Sequence, residues 1–264
     1  MTPSRQPSLY IPHGGGPAFF MQGPMQRMFA PMREFLAAVH QTLPSLPTAI
    51  VLVTAHWETP VVRLAAHAKP QLVYDYFGFP PETYTLRYDA PGAPALASRC
   101  AALLQAAGVQ AQVDPDHGWD HGVFIPLKVM FPQANIPVMA MSLQAGLDPL
   151  THVAMGRALQ SLRDEGVLIV GSGMSYHNLG GSANAAAESR AFDAWLDAAL
   201  LGNSLHRQNQ LAQWTDAPAA RRCHPREEHL LPLMVASGAG SDTPARKIWS
   251  GLTGPSVVSA WAFD

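Results

Sequence analysis

The chain has 264 residues, 48% of them apolar and only 14% charged, and its formal net charge is −2. It is long enough to bury a sizeable core, and one α/β domain of this size is ordinary. The absence of a Lys/Arg cluster argues against nucleic acid or a membrane surface as partner, because phosphate binding needs a basic footprint. Two cysteines, Cys100 and Cys223, with no CxxC pair exclude a disulfide framework and a thiolate zinc site.

In chain order, residues 8–12 read as a buried strand that runs into "HGGGP". Residues 25–43 have helical periodicity, interrupted early by Pro31. Residues 48–57, "TAIVLVTAHW", form a continuous apolar run of the kind found in buried parallel strands. Residues 61–67 read as another strand. Residues 68–92 carry four prolines, four tyrosines and two phenylalanines; a long aromatic loop of this kind is more often functional than a spacer. A helix is expected over 93–108, a short strand over 109–114, a loop at 117–122 and a helix near 123–131. A strand follows at 136–143, a helix at 148–166 with Pro149 in its first turn and Gly166 past its end, and a strand at 167–173 that enters a glycine loop. Residues 188–214 read as helical, 226–240 as a helix carrying Pro232 in its first turns, and 246–250 and 256–263 as closing strands. Alternating strands and helices argue for a mostly parallel sheet covered on both faces. No run approaches 18 apolar residues, so no transmembrane helix is expected. The N-terminal stretch has no apolar segment of signal-peptide length, and a soluble cytoplasmic protein is the expectation.

Eleven histidines are the unusual feature of the composition. His13, His56 and His177 each stand at or just past the carboxyl end of an expected strand, where open α/β sheets gather their ligands. His121 sits in "GWDHG" before a helix and His229 opens a late helix. His40, His67, His152, His206 and His224 read as surface or packing residues, and His117 is intermediate. Two chemistries fit a histidine before three glycines. One is an esterase oxyanion loop, which needs a G-x-S-x-G nucleophile elbow; the nearest stretch, Gly173-Met174-Ser175-Tyr176-His177, has histidine where the elbow needs a small residue. The same stretch fails the dinucleotide fingerprint at Tyr176. The other is a metal centre built from single ligands on distant segments. No HExxH is present, and imidazole ligands suit iron, zinc, copper and nickel alike.

The set "HGGGP" (His13–Pro17), "VTAHW" (residues 53–57), "FGFP" with Tyr84, "GWDHG" (Gly118–Gly122), "GSGMSYHNL" (Gly171–Leu179) and "EEHLLPL" (Glu227–Leu233) resembles, in order and over most of the chain, the class III extradiol ring-cleavage dioxygenases of the LigB type, in their 4,5-DOPA dioxygenase-like branch. The resemblance implies a single catalytic domain over residues 1–264: an α/β sandwich with a central mixed, largely parallel sheet flanked by helices and a metal pocket at one edge. It implies O₂-dependent cleavage of a catechol ring beside its two hydroxyls, with Fe(II) as the active metal and Zn(II) plausible in the purified protein. It puts His13, His56 and His229 on the metal, Glu228 standing as the alternative to His229. His177 matches the acid/base residue and is a possible fourth ligand with zinc, and His121 is the donor to bound oxygen. Gly14 and Gly15 leave room for the ring; Trp57, Tyr76, Phe77 and Tyr84 are the candidate apolar wall. The partners implied are a small aromatic substrate and O₂; oligomeric state stays open. Relatives in this branch read H-G-S-P where this chain has an extra glycine and no serine, which bears on the substrate. No clear Arg or Lys is placed for a substrate carboxylate; Arg87 and Lys128 are the candidates. Two readings remain beside the dioxygenase: a non-enzymatic Memo-like metal-binding protein, and a zinc hydrolase on the same scaffold.

Overall fold

A computed structural model describes residues 4–264. One eight-stranded sheet runs through it. The strands are β1 (Ser8–Pro12), β2 (Ala49–Thr59), β3 (Val62–Ala65), β4 (Ala111–Asp114), β5 (Val138–Gln144), β6 (Val167–Gly173), β7 (Arg246–Thr253) and β8 (Ser256–Phe263), in the spatial order β4-β3-β5-β2-β6-β1-β8-β7. The central strands β5, β2, β6 and β1 are mutually parallel. The outer pairings β1 with β8, β8 with β7 and β3 with β5 are antiparallel, so the sheet is mixed.

The apolar run in β2 follows from this placement. Ile50 and Leu52 enter one core with Leu9, Ile11, Leu168 and Val170; Val51 and Val53 enter the other with Tyr10 and Ile169. A strand buried on both faces has no polar alternation to show. The first core is covered by α1 (Pro24–Ala38) and α3 (His121–Met130). The second is covered by α2 (Pro94–Ala106), α4 (Pro149–Leu159), α5 (Ala185–Leu200) and α8 (Leu231–Ala239). The remaining helices are α6 (Ser204–Ala212) and the one-turn α7 (Ala220–Cys223).

Three local expectations change. The helical stretch 188–214 is two helices, broken at 201–203, where Asn203 caps α6 by accepting from the His206 amide. Residues 226–230 are a turn, and α8 begins only at Leu231, with Pro232 in its first turn where a missing N–H costs nothing. His121 is the first residue of α3, not a loop residue. The strand expected over 167–173 is β6, and Gly171 and Gly173 lie in it. A Cβ on Gly173 would lie 2.1 Å from the His229 carbonyl oxygen, and one on Gly171 2.1 Å from that of Pro232. The glycines therefore bare a strip of β6 on which the 229–232 segment lies directly. Among the described residues, no helix is long and apolar enough to cross a membrane.

Candidate metal centre and ring-binding cavity

Because β1, β2 and β6 are parallel neighbours, their carboxyl ends deliver residues to one place. His13 follows β1, His56 lies near the end of β2, and His177 follows β6. The register of β2 against β5 slips between Val53 and Glu58, which frees His56 from regular pairing and lets its ring turn inward. The turn before α8 lies on bare Gly173 and brings His229. The amide of Met174 and the hydroxyl of Tyr10 both donate to the His229 carbonyl, at 3.0 and 2.9 Å. The start of α3 brings His121.

The five rings form one cluster. Ring centroids of His13 lie 4.9 Å from His56, 5.4 Å from His121 and 5.1 Å from His229; His56 lies 4.0 Å from His121, and His177 stacks on His229 at 3.4 Å. Donor atoms of His13, His56 and His121 all fall within 4.8 Å of one another, as do those of His177, Glu228 and His229.

Behind each ring stands an acceptor. The Ser172 hydroxyl donates to the Gly122 carbonyl at 2.5 Å, so its lone pair is what meets His13 Nδ1 at 3.0 Å; His13 therefore carries its proton on Nδ1. Asp75 Oδ1 accepts from both the backbone amide and the Nδ1 of His121, each at 2.9 Å, and Oδ2 lies 3.7 Å from His56 Nδ1. Glu228 Oε1 accepts from His229 Nδ1 at 2.9 Å and faces His177 Nδ1 at 3.3 Å. Arg226, forked on Glu58, stands 3.4 Å behind the other Glu228 oxygen. With Nδ1 protonated, His13 keeps its lone pair on Nε2, which faces His56 Nε2 at 3.1 Å; the Asp75 charge near His56 Nδ1 favours the same tautomer there.

The electrostatics agree with a cation site. Burial first, then the neighbouring histidines, pushes His13 and His56 well below the ordinary imidazole value. Burial lowers His229 to about 4 despite the Glu228 hydrogen bond. Burial alone would raise Asp75 and Glu228, but hydrogen bonds from His121, and from His177 and His229, outweigh it and hold both carboxyls below their usual range. Neutral imidazoles backed by ionised carboxylates are what metal-ligating histidines require. Two inward lone pairs 3.1 Å apart fit two nitrogens about 2.1 Å from one divalent ion.

A cavity of about 650 Å³ opens over the cluster and is lined by all five histidines, by Gly14–Gly16 and by Tyr76, Phe77 and Phe79. Gly14 has a φ of +81°, and a Cβ there would meet the Phe19 ring at 2.9 Å, so the turn that aims His13 needs glycine. Two expected wall residues stand elsewhere. Trp57, next to His56 on a strand, points to the opposite side and stacks on His117 with ring centroids 3.5 Å apart. Tyr84 packs among Tyr74 and Tyr76, 6.2 and 5.3 Å between centroids, and lies behind the wall as its support. Arg87 and Lys128 are also outside the cavity: the Lys128 ammonium bonds the Arg87 carbonyl and sits over Phe20.

Sequence reasoning missed Tyr10, Asp75 and Ser172. Tyr10 looks like one more apolar strand residue. Asp75, the one acid inside "VYDYFGF", had a signal in its isolation among aromatics.

The sequence matches the family described as the catalytic LigB subunit of aromatic ring-opening dioxygenase over residues 7–261. It is 39% identical to 4,5-DOPA dioxygenase extradiol of Beta vulgaris, over 84% of this chain and 85% of that protein. It is 37% identical to dioxygenase tasH of Hapsidospora irregularis, over 89% of this chain and 78% of that protein. Among solved structures, the crystal structure of an uncharacterized protein from Escherichia coli K12 superposes with a TM-score of 0.77 at 29% identity, covering 98% of this chain and all of the other. The chain belongs to the LigB family and is an extradiol aromatic ring-opening dioxygenase.

Proposed function

We propose that the chain acts as a single catalytic domain that cleaves a catechol-type ring beside its two hydroxyls, with O₂ and with Fe(II) bound by His13, His56 and His229. The observation that carries this reading is the proton bookkeeping of the site: rings tied at Nδ1 to Ser172, Asp75 and Glu228 turn their Nε2 atoms toward one cavity. Iron(II), when bound, supplies open positions for both catechol oxygens and O₂ and the one-electron steps that zinc lacks.

The chain's own residues do the rest. His177, stacked on His229 and tied to Glu228 at Nδ1, has the position to take a proton from a catechol hydroxyl and return it later. His121, fixed by Asp75 at ring and backbone, presents Nε2 to the cavity as an acceptor, and once that nitrogen takes up a proton the ring is a donor to developing negative charge on oxygen, with Asp75 balancing it. The glycine turn at Gly14–Gly16 and the Tyr76–Phe79 segment leave an apolar slot for the ring and keep water out. Glu228 is engaged with His229 and His177, which supports His229 as the third ligand and Glu228 as the group that orients it.

The donor group that joins His121 to His13 and His56 supports a second assignment, with His121 as third ligand. Metal stoichiometry separates the two: loss of metal in His229→Ala with retention in His121→Ala favours His229, and the reverse favours His121. The activity itself is tested by anaerobic loading with Fe(II) or Zn(II), followed by O₂ and a panel of catechols. One O₂ consumed per yellow ring-opened product with Fe(II), and none with Zn(II), is the expected result. No uptake with any catechol despite bound metal overturns it and favours the metal-binding or hydrolase readings.

A further inference from the structure

The cavity has a charge pattern that narrows its substrate. Outside the histidines its walls include Met25, Met28, Phe29, Phe79, Met174 and Val258, and no lysine, arginine, aspartate or glutamate lines it among the described residues. Arg226 is committed to Glu58 and Glu228, Lys128 to the Arg87 carbonyl, and exposed Arg27, between the lining residues Met25 and Met28, is not itself part of the wall. The charges immediately behind the rings are negative, Asp75 behind His121 and His56, and Glu228 behind His229 and His177. These two carboxylates already balance one divalent ion. A substrate carboxylate would lose its water here and find no cation to replace it. The cavity mouth carries large apolar side chains beside neutral polar ones, Asn178, Ser182, Thr253 and Ser256. Phe77 is 90% exposed and Leu179 is 88% exposed, and both line the cavity from different segments of the chain. Bare aromatic and aliphatic surface at the rim of a ligand cavity gains by being covered.

We infer that the substrate is a catechol without a carboxylate, carrying an uncharged apolar substituent that reaches Phe77 and Leu179. The inference rests on the ring-cleaving reading above and specifies its substrate class. The relatives named for DOPA bear the name of an amino-acid catechol; this cavity has no lining cation to balance its carboxylate, only neutral donors such as the Tyr176 and Thr253 hydroxyls.

The test compares two catechols with side chains of similar length, 4-propylcatechol and 3-(3,4-dihydroxyphenyl)propionate, with unsubstituted catechol as reference. Binding is measured calorimetrically on Fe(II)-loaded protein without O₂, and kcat/KM separately by oxygen uptake. The propyl compound is expected to bind at least tenfold more tightly than the propionate and to have the higher kcat/KM. Phe77→Ser and Leu179→Ser should each shrink the advantage of 4-propylcatechol over catechol several-fold. Met28→Lys, which puts a cation on the wall, should raise affinity for the propionate. Equal or tighter binding of the propionate by the unaltered protein overturns the inference, as does an alkyl advantage indifferent to both serine variants. Oxygen uptake with no such preference overturns it while leaving ring cleavage standing. The binding preference without oxygen uptake overturns ring cleavage and leaves an uncharged aromatic diol as the ligand.

Discussion

The hydroxyl of Tyr10 donates to the carbonyl oxygen of His229 at 2.9 Å, tying the middle of the first strand to the turn before the last long helix. The same carbonyl also receives the Met174 amide. Tyr10→Phe removes one of two donors and keeps the packing. It should cost about 1 kcal/mol of stability and weaken metal binding several-fold, because the His229 backbone loses one of its anchors. Thermal unfolding and metal titration of the variant measure both; unchanged metal affinity would show that Met174 suffices.

Gly173→Ala should be far more damaging than its size suggests. Its methyl would sit 2.1 Å from the His229 oxygen, a distance no relaxation of a side chain can relieve. A loss of about 3 kcal/mol or more is expected. Gly146→Ala, with nothing within 4 Å of the new methyl, should change stability by less than about 1 kcal/mol. Urea unfolding of the pair gives the contrast, and similar midpoints would refute the close-approach account.

Glu228→Gln keeps an acceptor for His229 and His177 but removes the charge. Metal affinity should fall roughly 10–100-fold, the usual cost of losing an acidic partner behind a ligating histidine. A dialysis equilibrium against a chelator reads it directly. An affinity loss beyond that range, with the metal essentially absent, would argue that Glu228 is itself a ligand.

His177→Ala should lower kcat on the order of 10²-fold or more while leaving metal content nearly unchanged, as expected for a lost acid/base group. Metal loss in parallel with activity would instead make His177 a ligand.

The metal-free protein should weaken toward acid pH in a predictable direction. Burial lowers His13, His56, His229 and His224, to about 4 for His229 and about 3 for His224. The folded state keeps these rings neutral, whereas the unfolded chain takes up protons below about pH 6.5. Stability is therefore complete above that pH and falls as pH drops toward the folded-state values. The slope is about 1.4 kcal/mol per pH unit for each extra proton bound on unfolding. His224 lies outside the metal cluster, with Nε2 on the Ser175 carbonyl and Nδ1 unpartnered. His224→Gln should reduce the slope by about one proton in urea midpoints taken between pH 8 and 5, and an unaltered slope would remove His224 from the account.

The central strands were legible because their apolar runs are unbroken, and the convergence of His13, His56 and His177 followed from parallel strands alone. What the sequence hid was contact at a distance. Nothing local marks Ser172 as the acceptor that sets the His13 proton, 159 residues away, and the isolation of Asp75 among aromatics does not reveal that it serves two rings, one of them 46 residues away. Trp57 was misread for a geometric reason: beside a histidine that faces the cavity, the next strand residue faces away. The strand at 167–173 was legible too, but not that its glycines are cleared for a neighbouring backbone.

The strand order also sets a schedule. Of the described strands β1 is synthesised before the others, yet its neighbours are β6 and β8, and β8 follows all of them. Leu9, Tyr10 and Ile11 must wait, unpaired, while more than half the chain leaves the ribosome, since β6 begins only at Val167. Such distant pairing slows folding and exposes apolar segments meanwhile. His13 rides on that waiting strand and His229 arrives near the end. The catalytic pocket is thus among the last features the nascent chain can complete, and no N-terminal fragment can acquire its chemistry early.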